Sequence, residues 1–266
     1  MPSVQQRLEI LINSMTQAGY ETFRIQRVEK LVKELQKSSV NGVPTFIQLL
    51  TKKVAKSKRQ EFLDIFVEGQ FCEILAKNGF SQIYIEWCRD GPDIKANYNR
   101  QTVYFEVTKR NPDKEQDSWE ESEAHSGSSD SPEYIIDRIR KELKHFSNGE
   151  RNVVVYWSSS IRSSSVEVRE AFRYIGRKID ENPQAYHELS AILFTEALGF
   201  DVQTLNEFYL FKNDRASKPL GIRLSRKLKS LYSIPLGERQ RVCKHLLQPT
   251  HNRKGVERNE TSHLNP

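Results

Sequence analysis

Cysteine is scarce in this chain of 266 residues, and the three present, Cys72, Cys88 and Cys243, are odd in number, far apart and without CxxC spacing. That pattern excludes a disulfide framework and a cysteine-built zinc cluster, and it fits a reducing, cytoplasmic setting. Cys72 and Cys88 read as small buried hydrophobes. Long apolar runs are missing too: none approaches the ~18 residues of a spanning helix. The opening MPSVQQRLEILI lacks the basic and small-residue features of a secretory leader, so no membrane association is expected. P-loop and dinucleotide fingerprints are absent. Serine is abundant at positions 158–160 and 163–165, but no G-x-S-x-G elbow surrounds it. The six histidines, among them His125, His145 and His187, lack ligand spacing, and His145 reads as a helix-end residue.

What is present is ordinary in amount and uneven in distribution. The chain is 29% charged and 37% apolar, within the range of a globular protein long enough for one sizeable core with helical extensions. Of its 41 Lys/Arg and 35 Asp/Glu, twelve and four fall in residues 213–266, leaving 29 basic and 31 acidic residues upstream. The positive charge therefore collects at the C-terminal end. IRLSRKLKSLY followed by GERQRVCKHLL suits a polyanion such as nucleic acid, with residues 218–229 carrying a salt-dependent share of affinity. The alternative is a solvated basic tail that binds nothing. Residues 253–266 read as disordered.

Apolar periodicity divides the rest. Val4, Leu8, Leu11, Ile12 and Met15 recur at helical spacing over residues 4–17, which Gly19 closes. Second and third helices are expected over 21–36 and 45–54. No recognition-helix signature marks them, so they read as packing helices. From residue 59 the expected order is helix, strand, strand, strand, helix, strand, helix, strand. The helix spans 59–78, capped by Gly79; the three strands cover 82–87, a stretch starting at Pro92, and 102–108. Residues 110–131, acidic and serine-rich, read as a flexible low-complexity loop. A helix follows Pro132 with Ile135, Ile136, Ile139, Leu143 and Phe146 on one face. Val153 to Trp157 is a continuous apolar run, typical of a strand buried on both faces. A helix over 165–179, a strand over 189–194 and an edge strand at 208–211 complete the series. The fold class is α/β, a mixed central sheet flanked by helices. We divide the chain into an N-terminal helical extension (1–58), a core (59–212) and a basic C-terminal segment (213–266).

The hairpin from Gly91 to Lys109, GPDIKANYNRQTVYFEVTK, carries the chemistry. Asp93 follows Pro92 at the start of one strand, and thirteen residues later Glu106 interrupts the apolar Tyr104-Phe105-Glu106-Val107 of the next. A carboxylate in such a strand is costly to bury without a partner. Alternation puts Tyr104, Glu106 and Thr108 on one face, and Asp93 and Lys95 share a face of their own strand. If the strands are antiparallel neighbours, these groups converge on one cleft, and two carboxylates there suit a hard divalent cation. Aspartate after Gly-Pro also serves as an ordinary turn residue.

At these residues the chain resembles the PD-(D/E)XK nuclease superfamily, over roughly residues 61–198. The resemblance implies a restriction-endonuclease-like fold, and Mg²⁺ (or Mn²⁺) held by Asp93, Glu106 and the main-chain carbonyl of Val107. The metal would lower the pKa of a bound water and neutralise charge on the scissile phosphate. It also implies DNA as the substrate, and leaves oligomeric state open, a homodimer included. The family's lysine stands two positions after the glutamate, where this chain has Thr108. Lys95 is the first candidate to replace it, since it already faces the same way as Asp93. Lys109 is the second and needs a bulge to re-aim it; Arg140 or Lys144 of the following helix is the third. The alternative is that no basic residue substitutes. Glu68, eleven residues before Gly79, has the spacing the resemblance leads us to expect for a supporting acid, while Glu73 lies closer to the apolar face and reads as better buried. A solvated helix face is the alternative for both. The expected function is a metal-dependent endonuclease hydrolysing DNA phosphodiester bonds. The alternative is a catalytically inactive protein of the same fold that binds nucleic acid or a partner protein.

Overall fold

Three apolar stripes at helical spacing form three helices, α1 (Val4–Gln17), α2 (Thr22–Lys37) and α3 (Val43–Ala55). The computed structural model describes residues 2–86, 91–109, 132–146, 149–158, 165–196 and 207–231. A capping box starts α1: the Ser3 hydroxyl accepts from the Gln6 amide at 3.2 Å, and the Gln6 side chain accepts from the Ser3 amide at 2.8 Å. Leu8, Leu11 and Met15 of α1, Val32 and Leu35 of α2, and Phe46 and Leu50 of α3 are buried in one cluster with α4 (Arg59–Lys77). Gly69 lets the helices approach. A Cβ there would lie 2.5 Å from the Phe46 ring and 3.1 Å from Leu31 Cδ2.

The other side of α4 covers a six-stranded sheet of order β1-β2-β3-β4-β5-β6. β1 (Ser81–Ile85), β2 (Ile94–Tyr98) and β3 (Gln101–Lys109) form an antiparallel meander. β3, β4 (Asn152–Ser158) and β5 (Leu189–Glu196) run parallel, and β6 (Glu207–Lys212) closes the edge antiparallel to β5. Parallel neighbours need crossover connections, and α5 (Pro132–Leu143) and α6 (Ser165–Glu181) lie in those two connections. β4 is buried on both faces, as its continuous apolar run predicts. Val153, Val155 and Trp157 join the α4-side core, while Val154 and Tyr156 pack with Ile135, Ile136 and Ile139 of α5 and Ile175 of α6.

The element order is the one expected from the chain, with shifted edges. β1 stops at Ile85, short of residue 87, because Glu86 takes a left-handed φ of 55°. β2 starts at Ile94 rather than at Pro92. The basic segment begins inside the core: α7 (Ile222–Lys229) buries Leu224 and Leu228, with Leu231 beyond it, in the same cluster as α4. The serine-rich stretch 110–131, Cys88, Cys243 and the tail 253–266 lie outside the described residues. Among the described residues no helix is long and apolar enough to cross a membrane.

The α2–α3 turn fastens the helical layer to the sheet. The Asn41 amide donates to the Ile83 carbonyl at 2.8 Å, and the Ile85 amide donates to the Asn41 carbonyl at 2.9 Å. Gly42 sits at φ +86°, where an added Cβ would come within 2.0 Å of the Ile85 carbonyl oxygen. Gly42→Ala adds a left-handed penalty to a backbone clash, so we expect a loss of about 2–4 kcal/mol of unfolding free energy, read as a lower urea midpoint. A midpoint equal to that of the unsubstituted protein would show that this turn is not docked on β1.

Candidate metal centre

Register brings the two hairpin acids together. Ile94 pairs with Phe105 and Lys95 with Tyr104, so one step further along the ladder Asp93 faces Glu106. Ile94 and Phe105 are anchored in the α4-side core, where Phe71 of α4 meets the Phe105 ring edge-on at 5.2 Å. Period-2 alternation then turns Asp93 and Glu106 toward the α5 side. Each acid binds the other strand's backbone: the Val107 amide donates to Asp93 Oδ2 at 2.8 Å, and the Asp93 amide donates to Glu106 Oε2 at 3.3 Å. Val107 thus meets the pair through its amide. Glu106 is only 4% exposed.

The end of α5 completes this group. His145, just past the last turn, donates its amide to the Glu142 carbonyl and places Nδ1 2.6 Å from Glu106 Oε1. Glu142 lies beside Glu106 and adds like charge to it. One ligand atom from each of Glu106, Glu142 and His145 lies within 4.8 Å of the others. His145 is a helix-end residue, as its position predicts, but its ring enters the site. Glu142 and His145 escape a reading based on motif spacing. Their signal is a polar stripe, Arg138, Glu142 and His145 at i, i+4 and i+7, running beside the apolar face of α5.

Two further acids approach, one from α4 and one from the end of β1. Glu68 of α4, 8% exposed, lies beside Glu86 and within electrostatic reach of Asp93 and Glu106. Its Oε2 has no hydrogen-bond partner among the described residues. Glu73 is 6% exposed and paired with Lys77 at 2.7 Å, one turn on, which leaves Glu68 as the α4 acid of the site. Glu86 is absent from the expected set. It ends Tyr84-Ile85-Glu86, an acid closing an apolar strand, and its left-handed backbone marks local strain of the kind that collects at functional sites.

The basic candidates fare differently. The Lys95 ammonium lies over the Tyr84 and Tyr104 rings, at 5.8 and 5.9 Å from their centroids, two pairs nearer the hairpin turn than the acids. The side chain of Lys109 lies outside the described residues. Arg140, offered as a third choice, is corrected: its Nε donates to the Tyr186 hydroxyl at 2.9 Å, and Lys144 is exposed. The cation at Thr108 is Arg138, whose Nη2 donates to Thr108 Oγ1 at 2.8 Å and lies 3.8 Å from Glu142 Oε1.

Burial dominates the proton affinities. It pushes Glu106 up to about 8, with Glu142 adding like charge. Asp93 is raised well above the usual range by burial and then by Glu106; Glu68 is raised by burial, then Asp93 and Glu86; Glu86 is raised by burial. Acids so close cannot all ionise unless a cation neutralises them. The Glu106 and Glu142 oxygens and the His145 imidazole nitrogen lie close enough to hold a metal ion.

Glu106 keeps its proton to about pH 8 when folded and to its ordinary 4.5 when unfolded. Below both values the two states bind the proton alike; between them only the unfolded chain loses it, so folding stability falls as pH rises. We expect the melting temperature of the metal-free protein to decline across that window, with a shallower decline in Glu106→Gln. A melting temperature rising through the window would show that these acids are ionised and compensated.

No protein-family model matches the chain, and neither a curated protein nor a solved structure does so.

Proposed function

We propose that the protein is a metal-dependent phosphodiesterase of restriction-endonuclease-like architecture that hydrolyses DNA. The observation that carries the reading is the meeting of Asp93 and Glu106 across the β2–β3 ladder, with Glu142 and His145 closing on Glu106 from α5. Glu106, Glu142 and His145 would hold the ion, with Asp93 beside them and Glu68 and Glu86 behind. When bound, a divalent ion supplies a water of lowered pKa and neutralises charge on the phosphate. The protein's share is to order these ligands and exclude bulk water. Asp93 orients the Val107 end of β3, and the Asp93 amide holds one Glu106 oxygen so that the other faces His145. An imidazole among the ligands favours a first-row ion such as Mn²⁺ over Mg²⁺, which takes oxygen almost alone.

A second reading keeps the fold and the partner but removes the chemistry. It is favoured by Thr108 at the expected lysine position and by the exposed basic face of α7, Arg223, Arg226 and Lys229, opposite its buried leucines.

With Mn²⁺, plasmid or single-stranded DNA should be cut, and EDTA should stop the cutting. The ion contributes several kcal/mol to the transition state, so Asp93→Ala and Glu106→Ala should each lose at least about 10²-fold in rate. DNA that is bound but never cut under any metal would favour the second reading. In both readings the α7 face meets phosphates. Replacing Arg223, Arg226 and Lys229 by alanine should lower the slope of log affinity against log salt by about one per lost contact. An unchanged slope would remove α7 from the interface.

A further inference from the structure

Arg138 carries a guanidinium that its protein partners leave largely unused. It has five N–H donors. One goes to the neutral Thr108 hydroxyl at 2.8 Å; the nearest Glu142 oxygen, at 3.8 Å, is beyond good hydrogen-bond range. Its Nε is buried without a partner among the described residues. An arginine among several carboxyl groups ordinarily forms a bidentate pair with one of them. Here the fork is held by a hydroxyl instead, and it lies on the same stripe of α5 as Glu142 and His145.

We propose that Arg138 binds the phosphate of the substrate, donating from its free N–H groups to a non-bridging oxygen and stabilising the negative charge that builds there during hydrolysis. This rests on the phosphodiesterase reading and assigns its substrate-phosphate contact. Thr108 Oγ1 holds the fork in place, so threonine at this position belongs to the arrangement. In the step itself, a water oxygen forms a bond to phosphorus, and the bond from phosphorus to the leaving sugar oxygen breaks with its electron pair. The water's proton leaves to solvent through the site carboxylates, and the departing alkoxide takes a proton from solvent. Arg138 gains and loses none. Among the other cations near the acids, Arg140 is bonded to Tyr186, Lys95 lies over its two tyrosine rings, and Lys53 is ion-paired with Glu61.

The test uses the full chain. Arg138→Gln keeps a donor for Thr108 and removes the charge; Arg138→Lys restores the charge without the fork. Nicking of supercoiled plasmid is measured with Mn²⁺, and Mn²⁺ affinity and the melting curve are recorded in parallel. We expect Arg138→Gln to lose about 10²-fold in kcat with Mn²⁺ affinity and melting unchanged, and Arg138→Lys to recover about tenfold of that loss. A glutamine variant within about threefold of the unsubstituted rate overturns the assignment while leaving the phosphodiesterase reading intact. So does a lysine variant no better than glutamine, or Mn²⁺ affinity falling in step with the rate, which would reduce Arg138 to a support for Glu142. Unsubstituted protein that binds Mn²⁺ but leaves DNA uncut overturns both.

Discussion

Five carboxyl groups, from Glu68, Glu86, Asp93, Glu106 and Glu142, meet at the start of β2, largely out of water, and their mutual repulsion is the constraint around which the site is arranged. Isolated, each buried carboxylate would cost several kcal/mol. The chain answers by raising the proton affinities of Glu68, Glu86, Asp93 and Glu106 and by giving Asp93 and Glu106 each a backbone amide of the opposite strand. The amides hold Asp93 and Glu106 in position, and burial favours the protonated forms of Glu68, Glu86, Asp93 and Glu106. A divalent ion would do the same neutralising work with charge in place of protons, so the raised proton affinities and the proposed ion binding are two outcomes of one electrostatic situation.

That arrangement needs support from both faces of the sheet. On one face, α4 brings Glu68, and α4 is itself clamped by the three N-terminal helices through Gly69 and Phe46. The same layer reaches the end of β1 through Asn41 and Gly42, directly before Glu86, whose left-handed backbone is tolerated because its neighbours are tied down. On the other face, Ile135, Ile136 and Ile139 seat α5 against Val154 and Tyr156 of β4. Helices read from their periodicity as mere packing therefore also anchor the strand that carries an acid of the site.

The helix and strand order was legible because apolar spacing changes cleanly from 3.6 to 2 and back along the chain. Asp93 and Glu106 were legible for a related reason: alternation sets the face, and an acid among Tyr104, Phe105 and Val107 has to be explained. Glu68 came only from the spacing that the resemblance implies; its helix alone left a solvated face equally open. Glu86 was hidden because its placement depends on a backbone turn to positive φ, which the flanking apolar residues do not announce. Lys95 was assigned to the right face, but alternation does not reveal what lies across the next ladder, and there Tyr84 and Tyr104 hold its ammonium. Arg138, Glu142 and His145 lie 30 to 39 residues from their β3 partners, within the crossover that joins β3 to β4. A helical wheel shows that they form a stripe; only the tertiary docking of α5 shows what the stripe faces.

In the proposed reaction that stripe has a consequence for chemistry. In the superfamily that the hairpin resembles, the lysine comes from the same strand as the glutamate, so register alone would set its distance from an ion. Here the cationic group and two ligands, Glu142 and His145, come from one helix end, with Thr108 of β3 only steadying the guanidinium. The spacing between ion and phosphate then depends on the seating of α5, a rigid element packed by three isoleucines, more than on the strand. Arginine suits this position better than lysine. Its charge persists whatever the protonation of the surrounding acids, and its planar fork can serve a hydroxyl and a phosphate oxygen at once.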